Sequence, residues 1–142
     1  MSTENNKTIA RRYIELFNLG NLAGLDEVVV ADVVDHYKAP ESAAGLEGLK
    51  KVLAGFRSGF PDMYVTIDDI FAEGDRVVVR ATGRGTHKGE FMGAPPTGKQ
   101  FTVPVVAIYR IAGGKITDRW NLSDQWGMMQ QLGIVPSLAR AT

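Results

Sequence analysis

The strongest constraint on the fold is a change of hydrophobic period near Asp62. Before it, apolar residues recur at helical spacing; after it, they alternate as in strands. Ile9, Tyr13, Leu16 and Phe17 share one face of a helix expected to begin near Thr3–Asn6 and end about Asn18. Gly20 stops it, and Asn21 caps a shorter second helix over Leu22–Ala31, with Leu22, Leu25, Val28 and Val29 inward. Val33–Tyr37 reads as a short strand and Lys38–Gly45 as a loop. Leu46–Ser58 is a third helix with Leu49, Val52, Leu53 and Phe56 inward, ended by Gly59 and Pro61.

The second half is read as strands. Met63–Phe71 and Arg76–Thr86 flank a turn at Ala72–Asp75, and His87–Lys99, with three glycines and two prolines, is a long irregular connection. Val105–Ile111 and Ile116–Asp124 form a hairpin across Ala112-Gly113-Gly114-Lys115, because paired glycines supply the positive φ angles of a tight turn. A last helix, Gln125–Leu132, ends at Gly133. Helices followed by antiparallel strands indicate an α+β fold, with helices packed over the concave face of a curved sheet. Such a sheet leaves a cone-shaped cavity, the default ligand site.

Length and charge narrow the function. The 142 residues suit one domain, 1–142, with 1–6 and 134–142 expected as flexible tails. Sixteen basic and sixteen acidic residues cancel, which argues against nucleic acid or a charged membrane surface as a partner. The absence of cysteine excludes disulfides, thiol catalysis and thiolate metal sites. No apolar run approaches the roughly 18–20 residues of a membrane span, and the N-terminus lacks a signal-peptide core, so a cytoplasmic location is expected.

The best chemical lead is Asp124. On a regular strand, Trp120, Leu122 and Asp124 share a face. If that face is the inner one, burial raises the carboxyl pKa toward the range of an acid/base catalyst. Asp124 equally suits the cap of the helix starting at Gln125, and the two readings are compatible. Asn121 then points the other way and is structural. Tyr109 is a possible hydrogen-bond donor, and His36 either serves the cavity or is a polar residue on a half-exposed strand. His87 either orders its loop or faces the ligand. These histidines and Asp124 lie on different elements without ligand spacing, so no metal site is expected. Of the aromatic set, Trp120 is a candidate pocket wall, and Phe91 with Met92 a pocket lid or dimer contact. Tyr13, Phe17, Phe56, Phe60, Trp126, Met128 and Met129 complete the set, most of it core. Asp68 and Asp69 are expected to face opposite sides of their strand.

Several segments carry a resemblance. GTHKGEFMGAPPTGKQF (85–101), IYRIAGGKITDRWNLSDQWGMMQQLG (108–133), the GFPD of Gly59–Asp62 and the EGD of Glu73–Asp75 cover most of the chain in order. Together they resemble the SnoaL-like polyketide cyclases of the nuclear-transport-factor-2-like superfamily. The resemblance implies a cystatin-like α+β barrel, or cone, with a curved mixed or antiparallel sheet. It implies intramolecular aldol cyclisation of a small hydrophobic carbonyl or ester compound, with no cofactor. It assigns the general acid/base to Asp124 and places His36 at the cavity mouth. Beside these, Trp120, His87, Tyr109, Phe17, Phe56 and Phe91 are expected as substrate-binding positions. The family's histidine on the preceding strand has no counterpart in Val105–Tyr109. A homodimer through the outer face of the sheet is implied as well. Isomerase, dehydratase or epoxide hydrolase chemistry in the same cavity, or a non-catalytic binding or assembly module, are the alternatives.

Overall fold

The computed structural model describes residues 2–134. Helix α1 (Thr3–Asn18) starts at Ser2, whose hydroxyl accepts from the Asn5 amide at 3.0 Å. A short 3-10 helix follows at Leu22–Glu27, then strand β1 (Val29–Asp35) and helix α2 (Gly45–Gly59). Strands β2 (Tyr64–Glu73), β3 (Arg76–Thr86), β4 (Gln100–Ala112) and β5 (Lys115–Ser123) come next, and helix α3 (Gln125–Leu132) closes the described chain. The expected tail from Ile134 lies, beyond that residue, outside the described residues.

The sheet order is β1-β5-β4-β3-β2, curled and unclosed. Only the β1–β5 pair is parallel; the other neighbours are antiparallel hairpins. The Gly113-Gly114 turn joining β4 to β5 has φ of 60° and 81°, as a two-residue turn with both centres left-handed requires. The expected second helix is corrected: it stops at Glu27, and Val29–Asp35 is strand. Four of those seven residues are valine, which loses rotamer freedom in a helix and packs well on a pleated surface. Pairing with β5, from Val29 opposite Ile116 to Asp35 opposite Arg119, fixes the choice.

Two bulges decide which side chains enter the core. In β2, Ile67 lies opposite Ala81 but Asp69 lies opposite Arg80, so Asp68 is an extra residue. Val65, Ile67, Ile70 and Ala72 all turn inward as a result. Asp68 and Asp69 both face outward, where Asp68 accepts from the Thr82 hydroxyl and Asp69 pairs with Arg80. This corrects the expectation that the two carboxylates oppose each other across the strand. In β5, Ile116 lies opposite Ile111 while Asp118 lies opposite Arg110, so Thr117 is extra. A one-residue insertion reverses every later side chain.

The helices cover the concave face. Tyr13, Ile14, Leu16 and Phe17 of α1 and Leu46, Leu49 and Leu53 of α2 pack on Val77, Val79, Ala81, Ala107, Tyr109 and Ile111 of the sheet. A second cluster, Phe60, Phe91, Phe101, Val103, Met128 and Leu132, closes the other end. Asn18 fixes α1 to the sheet edge by exchanging two hydrogen bonds with the Val65 backbone, at 2.9 and 2.8 Å. Arg57 donates to the carbonyls of Phe17 and Met63, which ties the end of α1 to the start of β2. Asp62 accepts from the Thr86 amide at 2.8 Å and hydroxyl at 2.7 Å. Those bonds hold its carboxyl below the usual range and anchor the end of β3.

Candidate active site

Between the two clusters lies a cavity of about 100 Å³. One water needs only ~10–15 Å³, so the space suits an organic ligand. The register of the strands orders its sheet wall into layers. The first is Tyr109 and Arg119, flanked outside the lining by Val77 of β3 and Asp35 of β1. The second is Val79, Ala107 and Asn121. The third is Ala81, Val105 and Ser123, and the fourth Val65, Gly83 and Val103. Ile14, Phe17, Leu53 and Phe56 form the helical wall.

Most of this lining is apolar; its polar side chains are Tyr13 of α1, Tyr109 and Arg119 of the first layer, Asn121 of the second and Ser123 of the third. Arg119 donates to the Asp35 carboxylate at 2.8 Å, and each side chain is only 12% exposed. Burial opposes the guanidinium charge, but Tyr13, Tyr109 and Asp35 around it outweigh that and keep Arg119 ionised. Tyr13 and Tyr109 meet with ring centroids 5.5 Å apart. Burial raises the pKa of both phenols, so both stay protonated and can donate. The Tyr13 hydroxyl and the Arg119 Nε are buried without a hydrogen-bond partner among the described residues. Unpartnered buried donors are costly and uncommon, and these two belong to residues that line the cavity.

The residues expected at the site are distributed differently. Tyr109, Phe17 and Phe56 line the cavity. The orientation expected along β5 is reversed, because the bulge at Thr117 turns Arg119, Asn121 and Ser123 inward and Asp118, Trp120 and Leu122 outward. Trp120 sits on the outer face, stacked on His36 at 4.3 Å with Arg76 over its ring at 4.9 Å. His36 Nε2 is 2.9 Å from Asp118, which also accepts from Thr117. Asp124 is exposed and accepts from the Gly127 amide at 2.8 Å as the cap of α3. Asn121, expected to be structural, lines the cavity instead.

His87 is fully buried in the second cluster. Its Nδ1 accepts from the Thr97 amide at 3.2 Å and lies 3.0 Å from the Thr97 hydroxyl, which pins the base of the loop between β3 and β4. Phe91 of that loop is buried against Phe56 and Phe60, and Met92 is exposed. His36, His87 and Asp124 therefore have separate partners and do not converge. Tyr13, Arg119 and Asn121 were absent from the sequence candidates. Tyr13 could have been flagged, since a phenol on the apolar face of α1 brings a polar tip into the core. Arg119 and Asn121 could not, because a bulge leaves no clear mark in the alternation.

The sequence and the fold match known proteins. The family model for SnoaL-like polyketide cyclases matches residues 7–132, so the chain belongs to that family. IdmH from Streptomyces antibioticus, a candidate polyketide cyclase, is 36% identical over 90% of this chain and 98% of its own, with a TM-score of 0.79. TsrD from Streptomyces laurentii superposes with a TM-score of 0.86 at 26% identity, over 95% of this chain and 99% of its own. AclR from Streptomyces galilaeus, a candidate hydroxylase, gives 0.83 at 28% identity, over 95% and 100%. No curated protein matches the chain. The α+β cone anticipated from the sequence is thus the observed fold. No helix of the described residues is long and apolar enough to cross a membrane.

Proposed function

We propose that the chain is a cofactor-independent enzyme of the cyclase type, acting on a small hydrophobic carbonyl or ester compound. The ligand's oxygen sits against Tyr13, Tyr109 and Arg119, and its apolar body fills the layers beyond. The observation that carries this reading is the pair of buried, unpartnered donors, Tyr13 Oη and Arg119 Nε, beside the cavity. Loss of a carbon-bound proton from such a ligand leaves an enolate. Its carbon adds to a second carbonyl of the same molecule, and the resulting alkoxide takes a proton back. Donors fixed in advance around the developing oxyanion lower both barriers.

Asp124 is the proton-transfer group in this scheme, assigned by the family resemblance; it stands outside the lining as the exposed cap of α3, next to Ser123, which does line the cavity. Asp124→Asn separates that role from capping. Asparagine caps a helix as well as aspartate does, so the melting temperature is expected to stay within about 2 °C of wild type. Turnover, measured over a panel of 1,3-dicarbonyl esters by loss of substrate, is expected to fall by about 100-fold or more. Full activity in the variant would remove Asp124 from the chemistry.

The partner of the outer face is proposed to be a second copy of the chain. Val78, Ile108 and Trp120 are cross-strand neighbours there, and Val106 and Leu122 beside them are 44% and 61% exposed. Sedimentation velocity is expected to show a dimer for wild type and a monomer for Leu122→Glu. A monomeric wild type would contradict it.

A further inference from the structure

Gly83 lies in the middle of β3 and lines the cavity, yet neither its backbone nor its packing calls for glycine. Its φ is outside the left-handed region. A Cβ built on it would meet only Val105 Cγ2, at 3.5 Å, an ordinary van der Waals contact. Two nearby glycines, by contrast, are accounted for by their neighbours. A Cβ on Gly85 would press on Phe60 at 3.1 Å and Phe101 at 3.2 Å, and one on Gly89 would strike the Ser58 carbonyl. Glycine inside a strand gives up order and packing, and it often marks a place where something approaches the backbone closely. At Gly83 the space left open is cavity.

Its position says which part of a ligand would meet it. Gly83 lies opposite Val103, and Tyr109 is six residues further along the same strand, hence about 20 Å away. Between them the inward positions of β3 and β4 include the small residues Ala81 and Ala107. A ligand with its oxygen at Arg119 reaches Gly83 only if it is long, and only with its opposite, apolar end. We propose that Gly83 is a specificity-determining position that admits the distal, apolar end of an elongated ligand. This rests on the oxygen-binding role given above to Tyr13, Tyr109 and Arg119.

The test uses phenols of one width and increasing length. The short one is 4-nitrophenol, and the long one is 4-(4-phenylazophenylazo)phenol, with three rings in line. Affinities are read from the colour change in wild type, Gly83→Ala and Gly83→Val. The long phenol is expected to bind Gly83→Val at least about 10-fold more weakly, with Gly83→Ala between, while 4-nitrophenol stays within about twofold. Thermal midpoints are expected to hold or rise, because both replacements suit a strand better than glycine does. Equal losses for the two phenols, no loss for the long one, or failure of either to bind wild type would overturn the proposal. If Tyr109→Phe leaves both affinities unchanged while Gly83→Val still excludes the long phenol, the oxygen-binding role fails and the length filter stands.

Discussion

Replacing Arg119 by methionine is expected to cost about 3–5 kcal/mol of folding stability, the usual cost of breaking a buried ion pair from one side. Methionine retains much of the aliphatic stem, so lost packing is a small part. What remains is the Asp35 carboxylate, 12% exposed, with its Arg119 hydrogen bond gone. In a chain of this size the melting temperature should fall by roughly 10 °C or more. A second variant isolates the cause. Asp35→Asn combined with Arg119→Met removes the stranded charge and is expected to recover most of the loss. A single variant that melts with wild type would show that the pair contributes little. A double variant as unstable as the single would assign the loss to packing instead of charge.

Tyr109→Phe is expected to leave the fold nearly intact and to weaken binding of an anionic ligand by roughly 10- to 100-fold. That range corresponds to about 1.5–3 kcal/mol for a hydrogen bond to a charged acceptor. Phenylalanine keeps the ring against Tyr13 and removes only the hydroxyl. Burial holds that phenol protonated far above neutral pH, so in wild type it donates across the working range. The measurement is titration of 4-nitrophenol at a pH where it is ionised, followed by its colour. Unchanged affinity would take Tyr109 out of the oxygen-binding group. An equal loss of a neutral hydrocarbon ligand would point to a change in cavity shape instead.

The large features of the fold were open to reading because they follow from period and turn chemistry. The faces of α1 and α2, the two-glycine turn and the cap at Asp124 each depend on residues close in sequence. The site depended on parity, and parity is a property of paired strands. Alternation alone puts Trp120 and Asp124 on the side of Ile116. The extra residue at Thr117 places Arg119 and Asn121 there, and only the register against β4 reveals it. The same holds at Asp68. Asp35 shows the limit from another direction. Its role comes from Arg119 on the adjacent parallel strand, 84 residues away in sequence, and nothing local to either residue announces the other. Gly83 reads as a weak point in a strand until the cavity beside it is seen.

The most direct test of the central claim is the ionisation of 4-nitrophenol bound in the cavity, followed by its colour as pH is varied. Burial in an apolar space would by itself favour the neutral phenol and raise its pKa. Two phenolic donors and a guanidinium favour the phenolate. The account predicts a bound pKa lower than that of the free phenol by about one unit or more, with most of the shift lost in Tyr109→Phe. A bound pKa equal to or above the free value would contradict it, because the polar end of the cavity would then not be organised to hold negative charge.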